Sequence, residues 1–194
     1  MNRRSHFFFA LELPKACKRE LNGWASRTKE AYAFKSWVHP EDYHITLAFL
    51  GYAEEERLKK ACALIETQIK EYRTFMLQIK GLGTFGQQNS PRILWADAKE
   101  KKAMLPVRNM VYKACLEAGF ELDTKPFVPH ITLARRSKST IEPGSITEWG
   151  SQLPAFEPQK IEHIVLYRTD TEKQPKYEAI ERFALGKAVQ DLSC

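Results

Sequence analysis

The chain has 194 residues, 43% of them hydrophobic, and a formal net charge of +6. That is enough apolar material for a sizeable core, which excludes a globally disordered protein, and no apolar run is long enough to span a membrane as a helix. The basic balance favours an anionic partner such as RNA or a nucleotide, although solvated lysines alone give the same sum.

The tract MNRRSHFFFALELP starts basic and has an apolar patch. The patch is short, carries Glu12 and lacks a small-residue cleavage site, so it reads as structure rather than as a signal peptide. With no export or anchoring signal, a cytoplasmic location without membrane attachment is expected. Residues 6–14 predict an aromatic-rich strand, and Pro14 suits the first turn of a helix. Ala16, Leu21, Trp24, Ala25 and Ala31 follow at roughly helical spacing. SWVHPEDYH reads as a connection and HITLAFLG as a strand closed by Gly51. Residues 54–72 form an amphipathic helix with Leu58, Ala61, Cys62, Ile65 and Ile69 on one face.

Residues 75–83 read as a strand, 83–91 as a loop and 92–98 as another strand. Pro106 is expected to open a helix through Ala118, stopped by Gly119. Residues 124–136 read as loop then strand, the approach stiffened by Pro126 and Pro129. The polar stretch 137–158 holds one short helix near 146–153, and two strands joined at Gln174 and Pro175 come after it. The alternation is that of an α+β protein, with no linker to split residues 1–194 into separate domains. Cys17, Cys62, Cys115 and Cys194 are scattered, with neither a CxxC pair nor zinc spacing, and read as reduced thiols packed in or beside helices.

The pentapeptide HITLA occurs twice, beginning at His44 and at His130. A repeat at half the chain length, seen only twice, predicts an internally duplicated, bilobal domain with pseudo-two-fold symmetry. On a strand, alternation puts His44, Thr46 and Ala48 on one face and Ile45, Leu47 and Phe49 on the other. His130, Thr132 and Ala134 likewise oppose Ile131 and Leu133. The branched residues anchor each strand, and the paired imidazoles and hydroxyls converge on a groove. Two such histidines suit acid–base chemistry near neutral pH, one taking a proton from water and the other giving one to a leaving alkoxide. Thr46 and Thr132 can donate to phosphate oxygens, and Arg135 or Arg136 can neutralise the charge. The chemistry matches in-line hydrolysis of a phosphodiester, a strained cyclic phosphate above all, without a metal. Asp42 apart, no acidic residue stands beside either copy at ligand spacing, so neither metal nor cofactor is expected.

His6, His39 and His163 lack the motif and read as structural or surface residues, and Phe7, Phe8, Phe9 and Trp95 as core. Trp37, Phe49, Phe127 and Tyr167 are candidates to flank the groove and stack a base, each weighed against core packing.

Paired HITLA motifs in these tracts resemble the 2H phosphoesterase superfamily, marked by two H-x-[T/S]-x motifs. FFALELP, WVHPEDYHITLAFLG, SPRILWA and PFVPHITLAR look most like its RNA 2′,3′-cyclic phosphodiesterase branch, historically called 2′-5′ RNA ligases. The resemblance implies a bilobal α+β fold with antiparallel sheets lining a central cleft and helices outside. It implies metal-independent hydrolysis of RNA 2′,3′-cyclic phosphodiester termini to 2′-phosphomonoesters. By motif order His44 would be the proton donor and His130 the proton acceptor, with Thr46, Thr132 and Arg135 holding the phosphate. Arg168 and Thr169 stand where relatives often carry a serine. The expected partner is RNA with cyclic phosphate ends or a small cyclic nucleotide, bound by a monomer. Ligation, hydrolysis of small cyclic nucleotides and non-catalytic RNA binding remain the alternatives.

Overall fold

A computed structural model describes residues 5–99 and 101–186; Cys194 and the basic start at Met1 to Arg4 lie outside the described residues. The elements run β1 (His6–Glu12), α1 (Lys15–Ala31), β2 (Phe34–Trp37), β3 (His44–Tyr52), α2 (Glu55–Gln68), β4 (Phe75–Leu77), β5 (Ile79–Gln87), β6 (Ser90–Ala98), α3 (Lys101–Glu117), β7 (His130–Ser137), α4 (Ser145–Ser151), β8 (Gln159–Ile161), β9 (His163–Thr169) and β10 (Tyr177–Ala184). This is the α+β fold expected, with two four-stranded antiparallel sheets of order β10-β9-β1-β3 and β2-β7-β6-β5. Among the described residues no helix is long and apolar enough to cross a membrane.

Duplication shows in the sheet order: β9-β1-β3 in one sheet corresponds to β5-β6-β7 in the other, with a HITLA strand in the same place. Neither sheet is built from one half of the chain. Each draws strands from both halves, and the short strands β4 and β8, which precede β5 and β9, pair with each other. Phe9, Leu11, Ile45 and Leu47 of the first sheet and Leu94, Ala96, Ile131 and Leu133 of the second belong to one buried cluster with the helices. Helix α1 contributes Cys17, Leu21 and Trp24, and α3 contributes Met104, Val107, Met110 and Val111. The opposite face of the first sheet carries a small second cluster of Phe8, Ala10, Val165 and Tyr167.

Four local expectations are corrected. The 36–44 connection begins inside β2, whose Phe34, Ser36 and Trp37 pair with β7; a four-residue edge strand is too short for a period to show. The stretch 75–83 is divided between β4 and β5, which lie in different sheets. The 83–91 loop is the continuation of a β5–β6 hairpin. Gly83 pairs with Trp95, whose indole occupies the space a Cβ would need. Pro106 lies inside α3 rather than at its start; it removes the one helical bond to the carbonyl of Lys102, an exposed residue in the first turn.

Ile45 and Ile131 are both fully buried at equivalent places. Ile45→Ala and Ile131→Ala are each expected to lower the free energy of unfolding by about 2–5 kcal/mol, read from urea denaturation. A negligible loss at either would mean that strand is not anchored by its branched face.

Candidate active site

β3 and β7 carry the two motifs, and each begins at its histidine. Before β3 the chain makes a 3-10 turn at Pro40–Asp42, capped by His39, whose Nδ1 accepts the Glu41 N–H at 3.2 Å. Lys18, buried on α1, donates to the Glu41 carbonyl at 2.6 Å and holds the turn against the helix. The Asp42 carboxylate accepts the backbone N–H groups of Lys176 and Tyr177 at 2.9 and 3.0 Å, tying the turn to the start of β10.

Both imidazoles are oriented by the same backbone device. Nδ1 of His44 lies 2.7 Å from the Asp42 carbonyl, and Nδ1 of His130 lies 2.7 Å from the Val128 carbonyl. A carbonyl can only accept, so each Nδ1 carries a proton and each Nε2 is left for chemistry. Nε2 of His44 lies 3.1 Å from the Thr46 hydroxyl.

His44, Thr46, His130, Thr132 and Arg135 line one cavity of about 210 Å³, together with Phe8, Phe49, Ile93, Thr169 and Tyr177. The two histidines, the two threonines and Arg135 are thus brought together. Arg136 does not line it; its side chain is exposed and its φ is +57°. Among the described residues no group of three or more His, Cys, Asp or Glu side chains is arranged to hold a metal ion. Cys17, Cys62 and Cys115 are free and buried, and burial pushes the Cys17 and Cys115 thiols up to about 12, which makes them poor nucleophiles.

Strict alternation fails in both motifs, at the same residue. Ala10 pairs with Thr46 and Phe9 with Ala48, which leaves Leu47 as the extra residue of a bulge. Trp95 pairs with Thr132 and Leu94 with Ala134, which leaves Leu133 extra. Each bulge reverses the parity of the strand residues beyond it. Ala48 and Ala134, expected on the groove face, are buried, whereas Phe49, which alternation places on the opposite face, is 57% exposed and lines the cavity. Arg135 reaches the cavity for the same reason, from the position equivalent to Phe49.

The surroundings of the two histidines differ. The His44 ring packs on Phe8 at 4.8 Å, Tyr177 at 5.1 Å and Tyr167 at 6.0 Å. His130 meets Phe85 edge-on at 4.9 Å and Trp95 at 6.2 Å, and is the more open. Burial lowers the His44 pKa to about 4, against the raising effect of its bond to Asp42, with His130 and Arg135 lowering it further. Burial also lowers His130, less steeply.

A wider groove of about 630 Å³ shares Thr46, Phe49 and His130 with the cavity and continues past Phe85, Tyr112 and Phe127. The Arg108 guanidinium lies over the Tyr112 ring at 4.1 Å and 5.6 Å from that of Phe127. Of the aromatic candidates, Phe49 and Phe127 therefore face open space. Trp37 packs against the core and Tyr167 is buried behind His44. Phe8, expected in the core, is buried but also forms a wall of the cavity. Tyr177 carries no signal in the sequence, because only the folded hairpin brings it to His44. His6 and His163 lie outside the cavity, edge-on to Phe49 and beside Glu12.

The LigT-like phosphoesterase family model matches residues 11–95 and 97–177, so His44 and His130 fall at equal distances into their segments. The chain is similar to an RNA 2′,3′-cyclic phosphodiesterase of Geobacillus stearothermophilus, 40% identical over 94% of this chain and 58% of that protein. It is also similar to one of Bacillus subtilis (strain 168), 33% identical over 94% of this chain and 98% of that one. A crystal structure from Thermus thermophilus, 27% identical, superposes with a TM-score of 0.73 over 93% of this chain and 97% of the other.

In the ligand-free protein, NMR titration is expected to find both cavity imidazoles neutral at pH 7, with His44 taking its proton at about pH 4 and His130 below 6.5. Inorganic phosphate, by adding negative charge, is expected to raise both. An unchanged titration in phosphate would show that the anion does not enter between them.

Proposed function

The chain belongs to the LigT-like phosphoesterase family, and on that premise we propose that it hydrolyses RNA 2′,3′-cyclic phosphodiester ends to 2′-phosphomonoesters. The observation that carries the reading is the meeting of two Nδ1-anchored imidazoles, two threonine hydroxyls and one arginine in a single cavity. The names of the Geobacillus and Bacillus relatives support the same substrate.

Water attacks phosphorus opposite the 3′ oxygen. His130, the more open imidazole, accepts the water proton at Nε2. The bond from phosphorus to the 3′ oxygen breaks, and His44 delivers the Nε2 proton to that oxygen, leaving a 2′-phosphomonoester. Phe8, Tyr167 and Tyr177 around His44 keep competing water from the proton on its way to the leaving group. Thr46 and Thr132 donate to the non-bridging oxygens, and Arg135 balances their charge. Thr46 switches partner in this scheme: its hydroxyl satisfies Nε2 of His44 in the ligand-free cavity and turns to phosphate when substrate arrives. The steps need proton transfer and positioning alone, so no metal enters the reading. Phe49 and Phe127, beside the cavity, supply a stacking platform for the terminal base. The buried free thiols fit a reducing, cytoplasmic location.

His44→Ala and His130→Ala are each expected to lower turnover of an oligonucleotide ending in a cyclic phosphate by about 10²–10⁴-fold. Wild-type turnover should persist in chelator; its loss there would overturn the metal-free scheme. Arg135→Ala is expected to cost about 10²-fold and Arg136→Ala close to nothing; the reverse order would exchange their roles.

The pH dependence is set by the lowered imidazoles. Catalysis needs one protonated and one neutral, and a lowered pKa means the protonated form is lost as pH rises past that lower value. The kcat/KM profile, which reports the free enzyme, should be a bell with its maximum below pH 6.5. The kcat profile should be displaced to higher pH, because bound phosphate stabilises imidazolium. A kcat/KM that climbs steadily above pH 8 would rule out the histidine pair. Comparing an oligonucleotide with a mononucleotide 2′,3′-cyclic phosphate separates an RNA end from a small nucleotide as substrate.

A further inference from the structure

Tyr177 is unused in the scheme above except as packing. It opens β10 and lines the cavity with His44, Thr46, His130, Thr132 and Arg135. Its ring meets Phe8 and His44 edge-on, at 4.9 and 5.1 Å. Those contacts fix the ring plane. The phenol interacts with the Arg135 guanidinium, and burial keeps it protonated by pushing its pKa up. A protonated phenol beside an arginine is a hydrogen-bond donor placed where an anion is expected.

What holds Tyr177 there is Asp42, 4% exposed. Its carboxylate accepts the Lys176 and Tyr177 N–H groups, and its own carbonyl accepts the Nδ1–H of His44. One residue therefore sets the imidazole and the phenol together. The second motif provides an internal control. Val128 offers His130 the same carbonyl at the same 2.7 Å, yet its side chain is apolar and 41% exposed. Orienting a histidine thus requires nothing of this side chain. A buried carboxylate is costly unless fully paired, and at Asp42 the pairing fixes the loop that delivers Tyr177.

We infer that Tyr177 is a further substrate-contacting residue, its hydroxyl donating to a phosphate oxygen on the His44 side of the cavity, and that Asp42 is the positioning residue that holds it in step with His44. The inference rests on the phosphodiester reading above.

The test is a double-mutant cycle of Tyr177→Phe and Asp42→Asn, read by calorimetric binding of inorganic phosphate and by kcat/KM on an oligonucleotide with a cyclic phosphate end. Tyr177→Phe, which keeps the ring, is expected to weaken both by about ten- to a hundredfold with an unchanged thermal midpoint. Asp42→Asn should cost at least as much, and adding Tyr177→Phe to it should cost little more. A purely structural Asp42 would lower the thermal midpoint and leave the Tyr177→Phe step the same size in both backgrounds, overturning the positioning role. Phosphate affinity and kcat/KM unchanged in Tyr177→Phe, in a protein that otherwise binds and turns over, would overturn the contact alone. If the wild-type protein neither binds phosphate nor cleaves the substrate, the phosphodiester reading falls and takes this inference with it. Tyr177→Phe keeps the test decisive even where Asp42→Asn folds poorly.

Discussion

The proposed chemistry hangs on one short hydrogen bond made twice, from an imidazole Nδ1–H to the carbonyl two residues earlier. It fixes the tautomer and leaves Nε2 facing the cavity's chemistry, to accept or give a proton in the proposed scheme. Because the acceptor is backbone, the bond demands only that the chain turn into the strand at the right angle. The two approaches achieve this differently. Before His44 the turn is capped by His39 and held by Lys18 and Asp42. Before His130 the sequence places Pro126 and Pro129, which restrict the backbone covalently.

On that shared frame the two halves diverge in the side chains they turn toward the cavity. The bulges at Leu47 and Leu133 are equivalent, and each turns the residue two places on toward the cavity. In one half that residue is Phe49, an apolar surface; in the other it is Arg135, a cation. The histidines inherit the same asymmetry, His44 enclosed by three aromatic rings and His130 more open beside Phe85 and Trp95. Duplication supplies two similar imidazoles, and divergence around them gives them different proton affinities, with burial lowering that of His44 the more.

The motif faces are readable in the sequence up to the bulge. His44 with Thr46, and His130 with Thr132, come from alternation, as do buried Ile45 and Ile131. Beyond Thr46 and Thr132 alternation misleads, because a bulge is a relation between two strands and leaves no mark on one. The same limit explains β2, whose four residues gain their definition from β7, and Gly83, whose missing side chain makes room for Trp95 across the hairpin. Pro106 misleads because a proline near the start of a helix looks the same at its first position as a turn later. The drawing of each sheet from both halves, and the arrival of Tyr177 at His44, depend on contacts between residues far apart in the chain. Helices α1 and α2, with long periodic faces, are legible nearly to their ends, whereas α3 begins at Lys101, more than a turn before the expected Pro106.

The most direct test of a single phosphate shared by the two halves is a crystal structure grown with inorganic phosphate. The anion is expected between the Nε2 atoms of His44 and His130, within hydrogen-bond distance of both threonine hydroxyls and of the Arg135 guanidinium. An anion held by one half alone, or seated outside this cavity while His44 and His130 keep their present positions, would contradict it.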